Sequence, residues 1–202
     1  MSNCRNRDEI TLIFQEWKQS LTKEEIDILF DYSKYLYEEI NSSLREDFLS
    51  DDNFGTCPDD LRLKENIQKV DEILSRFILN EKISVYRNEH HDISLKDFCY
   101  FIQGIKEIEY KHYISTSFTE KASNQFYCIL KKHFQDGTFL QIKGDIEEGV
   151  SCGYLDKDIS SMSDEEDEIL IIRNTIFKID EDSILIDPKE KTIFISGEFR
   201  KE

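Results

Sequence analysis

Proline and glycine are scarce, with two and seven residues in a chain of 202. With 39% hydrophobic residues, that scarcity argues against a disordered chain, and no Gly-, Pro- or Ser-rich linker divides it. The five cysteines (Cys4, Cys57, Cys99, Cys128 and Cys152) are odd in number, scattered and without CxxC spacing. That pattern speaks against a disulfide framework and a zinc site and for reduced thiols. Basic residues number 26 against 43 acidic, a formal charge of −17 spread along the chain. Such a surface repels phosphates and anionic lipid, which argues against nucleic acid or a membrane surface as a general partner. No apolar run is long enough to span a bilayer, and the polar start Met1–Glu9 has no signal-peptide pattern. The expected setting is the cytoplasm, or a target cell reached without a cleaved leader.

The length suits one domain with a sizeable core. Its first third reads helical. Thr22 and Glu25 form a capping box, and Ile26, Leu29, Phe30, Leu36, Ile40 and Leu44 recur at helical spacing to about residue 47. Turn-forming residues between Ser50 and Pro58 break the pattern, and a second helix is expected over about 60–79. Short strands then dominate, at 83–87, 113–118, 138–143, 168–172, 175–179, 183–186 and 192–199, with helices near 94–108 and 119–133. Residues 187–191 read as a hairpin loop. Helices first and strands later define an α+β fold in a single domain, residues 1–202.

Three segments carry candidate chemistry. Arg87 ends the strand Ile83–Arg87, where a guanidinium can bind a phosphate or carboxylate with two parallel bonds; the blander reading is a surface ion pair. Ser115, Thr116 and Ser117 place three hydroxyls on one strand, Ser115 and Ser117 facing one side and Thr116 the other, to tie neighbouring strands together, to hold a ligand or to position a carboxylate. Glu166 and Glu168 stand two apart before Ile169–Ile172, so on a strand both project to one face. A calcium loop at Asp156, Asp158 and Ser160 is the rival, but it lacks the turn glycine and the closing bidentate glutamate. His90 and His91 point apart on regular structure and are expected in a surface loop, not around a metal. Cys128 and Cys152 read as packed thiols without a histidine partner.

Taken in order, Arg87, then Ser115-Thr116-Ser117, then Glu166-x-Glu168 resembles the Arg/Ser/Glu class of mono-ADP-ribosyltransferases, in its bacterial exoenzyme-toxin branch. The helix Tyr35–Arg45, with its Ile-Asn-x-x-Leu-Arg ending, is similar to that branch. So are Gln141–Gly144, Gly153–Asp156 and Glu168–Ile179, and the resemblance runs over about 12–200. It implies N-terminal helices packed on a two-sheet mixed β core and transfer of ADP-ribose from NAD to a protein side chain, with no metal. It further implies Glu168 at the nicotinamide ribose, Ser115 orienting it, and Thr116 and Ser117 buttressing the strand. Arg87 and Arg45 would meet the diphosphate, with Asn41 beside them against NAD. Glu166 would handle the acceptor: a guanidinium needs an anion to bind it, so the expected acceptor is arginine.

Some positions depart from the branch. Asn88 follows the strand arginine in place of Gly or Arg and would alter the diphosphate contact at NAD, Phe126 is the aromatic offered to NAD but has no arginine close behind it, and the turn before Glu166 offers only Met162 where an aromatic is common. The expected partner is a protein acceptor such as actin or a small GTPase; delivery would need a partner, a secretion machine or a life spent inside the producing cell. The alternatives left open are an NAD glycohydrolase, asparagine-directed modification of a small GTPase, and a catalytically silent binding module that keeps the fold.

Overall fold

The computed structural model describes residues 5–45, 58–160 and 168–201. The N-terminal part is helical: α1 (Arg7–Ile13), α2 (Gln15–Ser20), α3 (Lys23–Asp31), a π-helical turn (Tyr32–Leu36), α4 (Tyr37–Arg45) and α5 (Pro58–Ser75). The Thr22–Glu25 capping box opens α3 as expected, and Asn6 and Glu9 form a second one at α1. The expected single helix after Thr22 is interrupted by the π turn. The rest alternates strands with two helices: β1 (Ile83–His91), α6 (Leu95–Gln103), β2 (Glu107–Tyr110), β3 (Ile114–Ser117) and α7 (Glu120–His133), followed by β4 (Thr138–Ile146), β5 (Cys152–Leu155), β6 (Glu168–Ile171), β7 (Thr175–Ile179), β8 (Leu185–Asp187) and β9 (Thr192–Lys201).

The strands join in the order β2-β7-β9-β4-β1-β3-β6-β5, with β8 paired to β9 off that path. β4 and β9 run parallel, and the other pairs are antiparallel. β1 and β4 share nine registered pairs, from Ile83↔Ile146 to His91↔Thr138. By contrast, β1 meets β3 at one pair, Tyr86↔Ser117. The mixed two-sheet core is thus two groups of strands, β2-β7-β9-β4-β1 and β3-β6-β5, that share a single seam.

Two strands and one loop differ from the expectation. β2 begins within the stretch expected as helix to about 108: Glu107 and Glu109 point outward on an edge strand, and its alternation is too short to register against the preceding helix. β5 is buried along its whole length, so it lacks a period-two signal. His90 and His91 lie in β1, not in a surface loop. Each stacks on a ring, His90 on Phe134 with centroids 4.0 Å apart and His91 on Phe98 at 4.6 Å. They do point apart, as strand neighbours must.

The helices pack on the strands through one apolar core that includes Ile67, Val70, Ile73 and Leu74 of α5. Trp17 docks α2 by donating from Nε1 to the Ile73 carbonyl at 3.0 Å, with its ring lying against Gly153 of β5. A Cβ on Gly153 would come within 2.5 Å of that ring. Gly153→Ala is therefore expected to destabilise the fold by ~1–3 kcal/mol, the usual cost of overpacking. Urea denaturation of the two proteins checks it, and equal midpoints would contradict the close packing.

Candidate active site

The site grows from the seam. Because β1 leaves β3 after Tyr86↔Ser117, Arg87 comes to lie beside β3 without a ladder partner there. Its Nη1 donates to the Ser115 carbonyl at 2.7 Å. On the other side of β3, the register sets Ser117 opposite Glu168 and Thr116 opposite Ile169. Directly opposed residues hold their Cβ atoms about 5 Å apart on one face. Ser115 and Ser117 thus share the face of Glu168, while Thr116 turns inward and donates to the Ile169 carbonyl at 2.8 Å.

Strands β3 and β6 are anchored to α5 by one cluster. Asp71 accepts from Arg173 Nε at 3.0 and 2.9 Å and from the Tyr113 hydroxyl at 2.8 Å. Tyr113 immediately precedes β3 and Arg173 follows β6, so the cluster holds the approach to both strands. Burial, with Asp71 next, raises the Tyr113 phenol far above its ordinary range, which keeps it a donor.

Helix α4 closes another side. Asn41 is buried and its Nδ2 donates to the Tyr32 hydroxyl at 3.2 Å, while its Oδ1 is buried without a hydrogen-bond partner among the described residues. In a straight α-helix, positions nine apart face opposite sides and stand roughly 13 Å apart along the axis. The Tyr32–Asn41 bond therefore requires the irregular path supplied by the π turn, a feature that often marks functional sites. Helix α7 starts three residues after β3, so its first turns, Phe126 included, form the remaining wall.

A cleft of about 1140 Å³ results. Lining it together are Asn41, Arg45, Arg87, Asn88, Ser115, Thr116, Ser117, Phe126 and Glu168. Glu166, Met162 and the rest of the acidic stretch 161–167 lie outside the described residues. Asn88 spends its amide on the fold: Nδ2 donates to the Ser123 carbonyl and hydroxyl at 2.8 and 2.7 Å, and Oδ1 accepts from Gln141 at 2.9 Å. Cationic side chains on the described wall are Arg45, Arg87, Lys121 and Lys132, against the carboxylates Glu120 and Glu168. In a protein of charge −17, the cleft locally carries the opposite balance.

Sequence reasoning missed the groups behind Arg87. Glu89 Oε1 accepts from Arg87 Nε at 2.6 Å and from the Tyr110 hydroxyl at 3.1 Å, and Glu89 Oε2 lies 3.2 Å from His91 Nε2. The i, i+2 rule applied to Glu166 and Glu168 would have found Glu89, which shares the strand face of Arg87. Burial opposes the Glu89 charge, but Arg87 and His91 outweigh it and hold the carboxyl well below its usual range. Arg45 is drawn down by burial and by Arg87. His112 is buried with Nε2 unpartnered among the described residues; burial, then Arg45 and Arg87, push its imidazole down to about 3.

A family model described as ADP-ribosyltransferase exoenzyme matches residues 12–201. The chain belongs to the ADP-ribosyltransferase exoenzyme family. No curated protein matches its sequence. Among solved structures, it is similar to Plx2a, an ADP-ribosyltransferase toxin from Paenibacillus larvae, with 22% identity, a TM-score of 0.69 and coverage of 96% of this chain and 94% of that one. It is also similar to C3stau2 from S. aureus, solved with NAD, with 14% identity, a TM-score of 0.66 and coverage of 98% and 97%. A third likeness is to the ADP-ribosyltransferase Vis from Vibrio splendidus, solved with agmatine, with 20% identity, a TM-score of 0.63 and coverage of 98% and 87%. These likenesses are of fold.

The His112 geometry has a consequence for stability. The folded protein keeps the ring neutral down to about pH 3, whereas an unfolded ring takes up its proton near 6.5. The unfolded state thus binds more protons in between, and stability falls as pH drops from 6.5 toward 3. Glu89 acts in the same direction only below its ordinary value of 4.5. Between 4.5 and 6.5, His112→Gln is expected to flatten the dependence of melting temperature on pH. Thermal melts across that window read it, and an unchanged slope would contradict a buried neutral ring.

Proposed function

We propose that this chain transfers ADP-ribose from NAD to a protein side chain, with arginine as the acceptor and nicotinamide released. The observation that carries the reading is the β3–β6 register, which sets Glu168 against Ser117 in a cleft that also holds Arg87 and Arg45. The cleft residues fit NAD. Two guanidiniums lie near enough for Arg87 to depress Arg45, an arrangement a diphosphate would neutralise. The unpartnered Asn41 Oδ1 can accept from a ribose hydroxyl. Phe126, 41% exposed on the wall, offers a ring face to a base.

In this reading, cleavage of the bond from ribose to nicotinamide develops positive charge on the ribose. Glu168, held by its neighbours on β3 and β5, supplies the fixed negative charge that favours this transition state over bound NAD. Ser115 orients Glu168, while Thr116 and Ser117 keep β3 in register. Glu166 binds the acceptor guanidinium and assists its deprotonation. The agmatine bound by Vis carries the same guanidinium group. The acceptor would be a protein such as actin or a small GTPase in the cell that the enzyme reaches, with or without a delivery partner.

Glu168→Gln is expected to lower transfer from labelled NAD by roughly 10²–10³-fold. The variant should still bind NAD, because the cations remain. Undiminished turnover would end the assignment. Glu166→Gln is expected to remove labelling of arginine while NAD cleavage continues. Mass spectrometry of a treated lysate reads the acceptor: asparagine would overturn the arginine assignment, and free ADP-ribose without labelled protein would point to a glycohydrolase.

A further inference from the structure

Arg87 and Glu89 are both nearly buried, with side chains 14% and 16% exposed, yet they face different surroundings. Arg87 lines the cleft and Glu89 does not. Each oxygen of Glu89 is engaged behind the wall, Oε1 by Arg87 Nε and the Tyr110 hydroxyl, Oε2 by His91. The Tyr110 ring lies 5.8 Å from the centre of the guanidinium. An arginine offers five N–H donors in a rigid fork. Nε is fixed by Glu89 and one Nη1 donor by the Ser115 carbonyl, which sets the plane of the fork and leaves further donors for a ligand.

We propose that Glu89 is a positioning residue for Arg87, one that holds the guanidinium ready for the diphosphate of NAD. This rests on the NAD reading of the cleft and adds a residue to it. Two effects compete. The carboxylate partly cancels the charge that attracts a diphosphate, and it also freezes a long side chain in its binding geometry before the ligand arrives. Arg45 bears on the outcome. It stands near Arg87 and brings a second positive charge to the cleft wall, so orientation of Arg87 is the scarcer commodity. A freely rotating arginine would lose its freedom on binding, and affinity falls by that amount. Glu89 also keeps the buried guanidinium from turning back toward water, since burial opposes its charge and Glu89 offsets that opposition.

The test uses the whole chain and ADP-ribose as the probe, with binding followed by calorimetry. Glu89→Ala is expected to weaken ADP-ribose binding about tenfold, raising KM for NAD with kcat little changed, as loss of a preorganised contact does. Glu89→Gln keeps an oxygen for Arg87 Nε and is expected to recover most of the affinity. In an Arg87→Ala background, neither substitution at Glu89 should weaken binding further, because the residue acts through the guanidinium. If Glu89→Ala does not fold, Glu89→Gln carries the cycle, with a smaller loss in the wild-type background and none with Arg87→Ala. Unchanged or tighter binding by Glu89→Ala overturns the proposal, as does an equal loss in the Arg87→Ala background; where Glu89→Gln carries the cycle, binding tighter than wild type or a loss that persists with Arg87→Ala overturns it. Wild-type protein that binds neither ADP-ribose nor NAD would overturn the reading of the cleft itself, a result distinct from failure of the Glu89 role alone.

Discussion

The site depends on a pairing that stops. β1 runs alongside β4 for nine residues but touches β3 at Tyr86↔Ser117 alone. Had the β1–β3 ladder continued, backbone bonds would occupy the space where Arg87 now reaches the Ser115 carbonyl. The early separation opens a gap between two groups of strands, and polar side chains from both edges turn into it. Backbone N–H and C=O groups at such a gap must find other partners. Arg87 meets part of that demand at Ser115 while remaining in the cleft wall.

Around the gap, the protein separates its charges. Its surface is acidic, and its described cleft wall is weighted toward lysine and arginine. Two guanidiniums close enough to disturb each other raise the energy of the folded chain unless something offsets them. Glu89 offsets one from behind, and Glu168 adds a second negative charge on the opposite strand. His112 stays neutral in the same surroundings, and protonating it would add a third cation. The arrangement suits a ligand that brings its own negative charge, and the acidic exterior discourages long polyanions from competing for it.

Much of this was legible in the sequence, and the remainder was hidden for physical reasons. Strand alternation placed Ser115 and Ser117 on one face and Thr116 on the other, and the side chains follow that rule. The α+β class followed from helical periodicity giving way to short apolar runs. The π turn was invisible because Leu36 and Ile40 continue a plausible helical stripe through it. β5 gave no alternation because both its faces are covered, and β2 was masked by its glutamates. Asn88 was expected at NAD; it lines the cleft, and its amide joins α7 to β1 and β4, a role that depends on Ser123 and Gln141 arriving from distant parts of the chain. Glu89, the partner of Arg87, and His91, the partner of Glu89, needed no distant contact to find, only the same two-residue rule applied to the other half of the site.

That rule also explains why the two faces of β1 have separate duties. Arg87, Glu89 and His91 alternate with Asn88 and His90, so one strand serves two surroundings. On one side a run of charge ends at the cleft, and on the other Asn88 and His90 fasten α7 and the segment after it through Ser123, Phe134 and Asp136. A one-residue slip of β1 against β4 would exchange these sets, turning Arg87 and Glu89 toward α7 and taking Asn88 away from Ser123 and Gln141. The nine-pair ladder with β4 makes such a slip costly. The long ladder on one side of β1 is thus what allows the short one on the other, because a strand fixed by β4 can leave β3 after one pair and still deliver Arg87 to the same place.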